Sequence, residues 1–260
     1  MTTALPIELD PAVIEQLGRE LDEIYDETIA DLGERDERHI RRLIRTQRSL
    51  ALGSRLAMLA GAAMRPRGLF GRKVGGGGHN AGAALLGLGT AGLGLAKILE
   101  NMEIGHNVMH GQWDWMNDPE INSTVWEWDT VCSADNWKHG HNVVHHTWTN
   151  VLGKDRDIGY EIMRTTSSTP WSPVYLAQPF YNTLLGLLFE WGVGIHEVDF
   201  KKLAGGTTDE RATQVELFRG FLHKASRQVA KDYVLWPSLA GPGFIEVAAA
   251  DAVANLIRNV

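Results

Sequence analysis

Two histidine clusters give this 260-residue chain its clearest chemical signal. The first reads Glu103-Ile-Gly-His106-Asn-Val-Met-His110, the second His139-Gly-His141-Asn-Val-Val-His145-His146. Together they hold six of the ten histidines. An H-x-x-x-H pair sets two imidazoles one helical turn apart on one face. Two such pairs and an adjacent histidine exceed what one zinc ion takes and suit a two-metal centre, for which imidazole serves iron, copper and zinc alike. A zincin would carry glutamate where Asn107 and Asn142 stand. A ferritin-like di-iron site needs two E-x-x-H motifs, and only Glu103-x-x-His106 is found. A structural zinc site wants cysteines, and the chain has only Cys132. What survives is a histidine-rich, carboxylate-poor site for two metals. His39, His79 and His223 lie outside the clusters and read as ordinary helix or surface residues.

The elements that must position these boxes read as helices. Residues 74–96 contain no Asp, Glu, Lys or Arg, and this length is enough to cross a bilayer core of about 30 Å. Its Gly and Ala content suits close packing between membrane helices. Residues 179–195, broken by Glu190, and 234–257, with Glu246 and Asp251 inside, are imperfect further spans. Residues 50–64 are apolar apart from Arg55 and could form half of a hairpin with the next helix.

Upstream, Asp10-Pro11 is an N-cap with proline at the first helical position. Ile14, Leu17, Leu21, Ile24 and Tyr25 follow at helical spacing, and Gly33 is expected to close the helix. A second helix from about Glu34 carries Arg35, Arg38, Arg41, Arg42, Arg45 and Arg48, which suits either an anionic lipid surface or water. The run 75–78 is a connector and no phosphate loop, since no Gly-Lys-Ser/Thr follows. Six of nine tryptophans lie between Trp113 and Trp148 and are expected as interface anchors. Asp155 and Asp157 read as part of a turn, or as acceptors that orient imidazoles.

A net charge of −7 and a pI near 5.8 argue against a nucleic-acid partner. One cysteine excludes an intrachain disulfide and fits a reducing compartment. No basic segment followed by an apolar run opens the chain, so no cleavable signal peptide is expected.

The boxes resemble those of the membrane-bound fatty acid desaturases. The stretch Glu100-Asn-Met-Glu-Ile-Gly-His-Asn-Val-Met-His-Gly-Gln-Trp-Asp-Trp-Met-Asn-Asp-Pro119 is similar, more narrowly, to the actinobacterial acyl-CoA desaturases of the stearoyl-CoA type. The likeness continues through Trp126-Glu-Trp-Asp129, His145-His-Thr-Trp-Thr-Asn150, Phe189-Glu-Trp-Gly192 and Asn255-Leu-Ile-Arg-Asn-Val260. It implies an O2-dependent acyl desaturase with two non-haem irons. It also implies an acyl-CoA or other acyl substrate, membrane lipid around the protein, and electrons from a reductase or ferredoxin-type partner. His106 and His110 match the first box; His141, His145 and His146 match the second; His139 lies just outside. The family's third box, H-x-x-H-H, has no counterpart here, so the chain is expected to be an N-terminal portion incomplete for catalysis.

The expected fold is all-α: multi-pass membrane helices, with helices on the cytoplasmic side carrying the boxes. Polar N-terminal helices over 1–49 would precede a membrane desaturase domain over 50–260. The basic loop Arg65, Arg67, Arg72, Lys73 pulls against that orientation by the positive-inside rule, and the need for cytosolic reductant decides for it. A histidine-box hydroxylase and a non-catalytic metal-binding membrane protein are the alternatives.

Overall fold

The computed structural model describes residues 10–65 and 78–259, apart from the side chains of residues 78, 79 and 161. Two compact units divide after Leu43. Among the described residues there are helices and no strands.

In the first unit, α1 (Pro11–Ala30) starts as expected, with the Asp10 carboxylate accepting from the Ala12 amide at 2.9 Å. Its apolar stripe is uncovered: Ile14, Leu17, Leu21, Ile24 and Tyr25 are each more than half exposed. The helix stops short of Gly33. That residue instead precedes α2 (Glu34–Ala63), where its amide donates to Asp36. On α2, Arg35, Arg38 and Arg41 pair with acids four residues back, as a solvated helix face would.

In the second unit, the remainder of α2 runs unbroken through 50–63 and packs antiparallel against α3 (Gly78–Ile98). The backbones touch. A Cβ on Gly61 would stand 2.6 Å from the Leu86 amide nitrogen, and one on Gly89 would stand 2.7 Å from the Ser54 carbonyl. Small residues here serve close approach, as the composition of α3 suggests. With α12 (Phe244–Asn259), these helices bury Met58, Ala62, Leu93, Val247, Ala250 and Ala254.

From α3 the chain continues through a π-helical stretch, Leu99–Gly105, into α4 (His106–Met109). Asn80–Met109 is the one helix among the described residues long and apolar enough to cross a membrane, about 45 Å at 1.5 Å per residue. Residues 74–77 of the expected span lie outside the described residues, as do Arg67, Arg72, Lys73 and most of the glycine run. After α5 (Ala134–Lys138), π-helical His139–His145 and α6 (His146–Trp148), the expected span 179–195 is two short helices. These are α7 (Gln178–Leu187) and α8 (Phe189–His196), parted at Leu188, where φ −110° and ψ 23° leave helical geometry. After α9 (Phe200–Gly205) and α10 (Thr208–Val229), the stretch 234–257 is likewise divided. A π-helix, Ala230–Leu235, leads to α11 (Trp236–Leu239). The chain then turns at left-handed Gly241 into α12.

The charges that interrupt the apolar runs are all partnered. Arg55 donates to Asp232 at 2.6 Å and Asp251 at 2.9 Å, and its guanidinium lies 4.9 Å from the Trp236 ring centre. Lys97 reaches Asp232 at 2.9 Å and Asp129 at 3.5 Å. Asp129 also holds Lys231 and accepts from Gln228 at 2.6 Å. Glu190 is paired with Arg258.

Candidate metal centre

Each box is placed by a π-helical stretch, in which an amide bonds the carbonyl five residues back and the phase of an α-helix shifts. In the first box the His106 amide donates to the Asn101 carbonyl, after which α4 resumes. His106 and His110 then stand one turn apart, with their Nε2 atoms 3.1 Å from each other. Gly105 is required there, because its Cβ would lie 2.9 Å from the Glu100 carbonyl and 3.2 Å from the Trp128 Cβ.

The second box shows why H-x-x-x-H-H needs a π-turn. In an α-helix residue i+4 returns over residue i, and i+5 swings away. In the π-helix His139–His145, the His146 amide donates to the His141 carbonyl, so i+5 returns as well. Both His145 and His146 therefore lie 5.0 Å, ring centre to ring centre, from His141. His141 is in turn 5.3 Å from His106 and 5.2 Å from His110, and His146 is 4.9 Å from His110. All five box histidines form one cluster. Asn142, at the position a zincin would give to glutamate, donates to the Met109 carbonyl at 2.8 Å and ties the two boxes together.

Trp137 stacks on His141 at 4.4 Å and backs onto Trp128 at 5.3 Å. Trp113, Trp126, Trp128 and Trp137 are buried. Burial runs against their reading as interface anchors, and of the four Trp137 and Trp128 back the histidine cluster; Trp148 is exposed.

Carboxylates stand on one side of the cluster. Asp155 accepts from His145 Nδ1 at 3.0 Å and from the amides of Asn150 and Asp157 at 2.8 and 3.0 Å. Burial alone would raise its carboxyl; the bonds from His145 and the two amides hold it below the usual range. The turn expected here forms, and it carries the acceptor role too. Asp157 faces Nδ1 of both His141 and His145, at 3.5 and 3.6 Å, and its carboxyl is also held low, first by His141. His110 is pushed down to about 4, by burial first and then by the neighbouring rings, so it is a neutral donor at pH 7. Donor atoms of His106, His110 and His141, and of His141, His145 and Asp157, each lie within 4.8 Å of one another. Imidazoles converging nitrogen to nitrogen suit a divalent transition metal.

Other expected features fall outside. His139 and Glu103 are exposed and belong to neither donor group. Cys132 is buried and its thiol is pushed up by burial, which leaves it inert. His196, outside any sequence box, lines a 250 Å³ cavity with His106, His141, Met102, Phe189 and Val193. Trp128 forms a wall of this cavity and also of a larger polar cleft of 1250 Å³, lined by Arg48, Lys224 and Lys231 among others.

Over 256 residues, 97% of its length, the chain is 44% identical to the NADPH-dependent stearoyl-CoA 9-desaturases of Mycobacterium tuberculosis strains CDC 1551 / Oshkosh and ATCC 25618 / H37Rv. This chain is related to the acyl-CoA desaturases. It spans about half the length of these curated relatives, 55% of each. No family model and no solved structure matches it.

Proposed function

We propose that the protein is an O2-dependent acyl-CoA desaturase whose histidine cluster holds non-haem iron. The observation that carries this reading is the convergence of His106, His110, His141, His145 and His146 in a chain related to named desaturases. The balanced reaction takes –CH2–CH2–, O2, two electrons and two protons to –CH=CH– and two waters. Two irons, when bound, supply the reaction with O2 and the oxidising power against an unactivated C–H bond.

The chain's own residues supply position. The five imidazoles offer nitrogen donors, and Trp137 and Trp128 close one side of the cluster and exclude water. The 250 Å³ cavity bounded by His106 and His141 is apolar along Met102, Phe189 and Val193, which suits acyl methylenes. The polar cleft across Trp128 suits the carrier end of a thioester. Electrons would come from NADPH through a reductase or ferredoxin-type partner.

A multi-pass membrane setting is part of the proposal. Its support is the apolar helix Asn80–Met109 and the exposure of Leu176, Phe180, Leu188 and Ile245 outside it. The boxes would face the cytoplasm, where NADPH is. The test is to incubate membranes carrying the protein with stearoyl-CoA, NADPH, O2 and a reductase, and to analyse the fatty acids by mass spectrometry. The reading expects a monounsaturated product that is lost in His106→Ala and His141→Ala. A hydroxylated product would make the protein a hydroxylase instead.

A further inference from the structure

We propose that Asp155 and Asp157 are positioning residues for the metal centre: they keep Nδ1 of His145 and His141 protonated, so that Nε2 of each ring presents its lone pair to the cluster. The inference rests on the metal-binding reading above and deepens it.

Both rings turn Nδ1 toward a carboxylate, at 3.0 Å for His145 to Asp155 and at 3.5 and 3.6 Å for His141 and His145 to Asp157. An ionised carboxylate only accepts, so the nitrogen facing it carries the proton. A neutral imidazole has one N–H, which leaves Nε2 bare. His141 and His145 both turn Nδ1 toward Asp157, so their bare Nε2 atoms lie on the side away from that carboxylate. His106 and His110 already meet through their Nε2 atoms, at 3.1 Å. The same ring atom therefore serves both boxes.

Asp155 is built for this role. It is buried, and both its oxygens are engaged by backbone amides. One of those amides belongs to Asn150, whose φ of 64° is left-handed, a conformation asparagine tolerates and bulkier residues resist. The carboxylate cannot swing away from His145 without giving up these bonds. Asp157 is beyond direct hydrogen-bond distance and acts more weakly, on two rings at once. Among the described residues no carboxylate pairs with His106, His110 or His146, so only one half of the cluster is held this way.

Cobalt(II) added anaerobically to the purified protein in detergent tests the idea through its ligand-field absorption, without any turnover. Removal of an outer partner typically weakens metal binding by about 10–100-fold. Asp155→Asn is expected within that range and Asp157→Asn at or below its lower end. Asp135→Asn, whose side chain points to water from α5, should bind like the parent. Asparagine preserves size but its Nδ2 cannot accept, so the variant also loses one backbone amide bond; a purely structural Asp155 would lower the melting temperature and leave the His145 tautomer unchanged. Selective 15N-histidine NMR of the metal-free protein supplies a second readout: His145 should be the Nδ1–H tautomer in the parent and shift toward Nε2–H in Asp155→Asn. Cobalt affinity of Asp155→Asn within twofold of the parent, or an Nε2–H His145 in the parent, overturns the inference and leaves the metal site standing. A parent that binds no cobalt overturns the metal reading and this inference with it.

Discussion

Two polar clusters lie inside this helical protein, and they are built on opposite plans. The ionic cluster joins Arg55, Lys97, Lys231, Asp129, Asp232 and Asp251, and each cation in it has a carboxylate within reach. The histidine cluster gathers five rings, with carboxylates on the His141 and His145 side alone. Each lies at a π-helical stretch, Ala230–Leu235 in one case, Leu99–Gly105 and His139–His145 in the other. Charges removed from water must find partners within the fold, and the ionic cluster finds them. Imidazoles incur a smaller cost on burial than charges do, and without a metal one ring can donate to its neighbour, as at the His106–His110 Nε2 contact. In the first cluster every cation is paired. The second has donors in excess, and a cation would complete it.

The largest expected effect comes from opening the ionic cluster. Asp232 is fully buried and meets Arg55, Lys97 and Gln228. Asp232→Ala leaves two buried cations short of a partner and is expected to cost about 3–5 kcal/mol. Chemical denaturation in detergent measures it. A cost below about 1 kcal/mol would mean that the cations reach water and that the contrast is false.

His141→Ala should do the reverse. Its ring neighbours all four other box histidines. The fold should survive, with a melting temperature close to the parent's. Cobalt(II) binding should fall further than in Asp155→Asn, past the ~100-fold that an outer-sphere change reaches. His139→Ala, at an exposed position two residues before His141, should change neither quantity.

Acid should separate the two clusters by pH. The folded state holds His110 at about 4 against an ordinary 6.5, because burial and the adjoining rings disfavour its charged form. Between those values the unfolded chain binds the extra proton, so this contribution is complete above pH 6.5 and is lost as pH falls toward 4. Asp129 is different. Burial alone would raise its carboxyl, and Lys97 and Lys231 hold it far below the usual range. Its contribution is present above the ordinary carboxylate range and is lost only at still lower pH. As far as His110 limits it, cobalt binding is therefore expected to hold until pH approaches 4, where the folded imidazole protonates, while helicity, followed by circular dichroism, persists to lower pH. Coincident loss of both would merge the two clusters into one cooperative unit.

The histidine cluster was legible in the sequence and the ionic cluster was not. Box spacing is local: His106 and His110, or His141 and His145, lie four residues apart, so a helical period places them together. The partners of Arg55 lie 177 and 196 residues away, and that of Lys97 lies 135 away. No local pattern links them, so Arg55 and Asp251 read as flaws in apolar runs. The π-turns were equally invisible, since a 3.6-residue period carries no sign of i→i+5 bonding. Yet a π-turn is what brings His146 over His141 beside His145. The start of α1 followed from Asp10-Pro11, whereas Gly33 was assigned to the wrong helix, because a glycine after one helix and before another fits either end.

The smallest effect tests whether the scaffold and the metal site are separable. Thr207 caps α10, accepting from the Glu210 amide, while Glu210 reaches back to the Thr207 amide and hydroxyl at 2.9 Å. This capping box lies at the head of the helix that leads into the π-stretch carrying Lys231 and Asp232. Thr207→Ala removes one satisfied amide and is expected to cost about 1 kcal/mol. That loss belongs to the scaffold around the ionic cluster. It should lower the melting temperature modestly and leave the cobalt(II) dissociation constant within twofold, since none of the five box histidines is on α10. A drop in cobalt affinity matching the lost stability would show that the boxes are held in place by α10, and the division between a cluster that folds the protein and a cluster that awaits a metal would have to be redrawn.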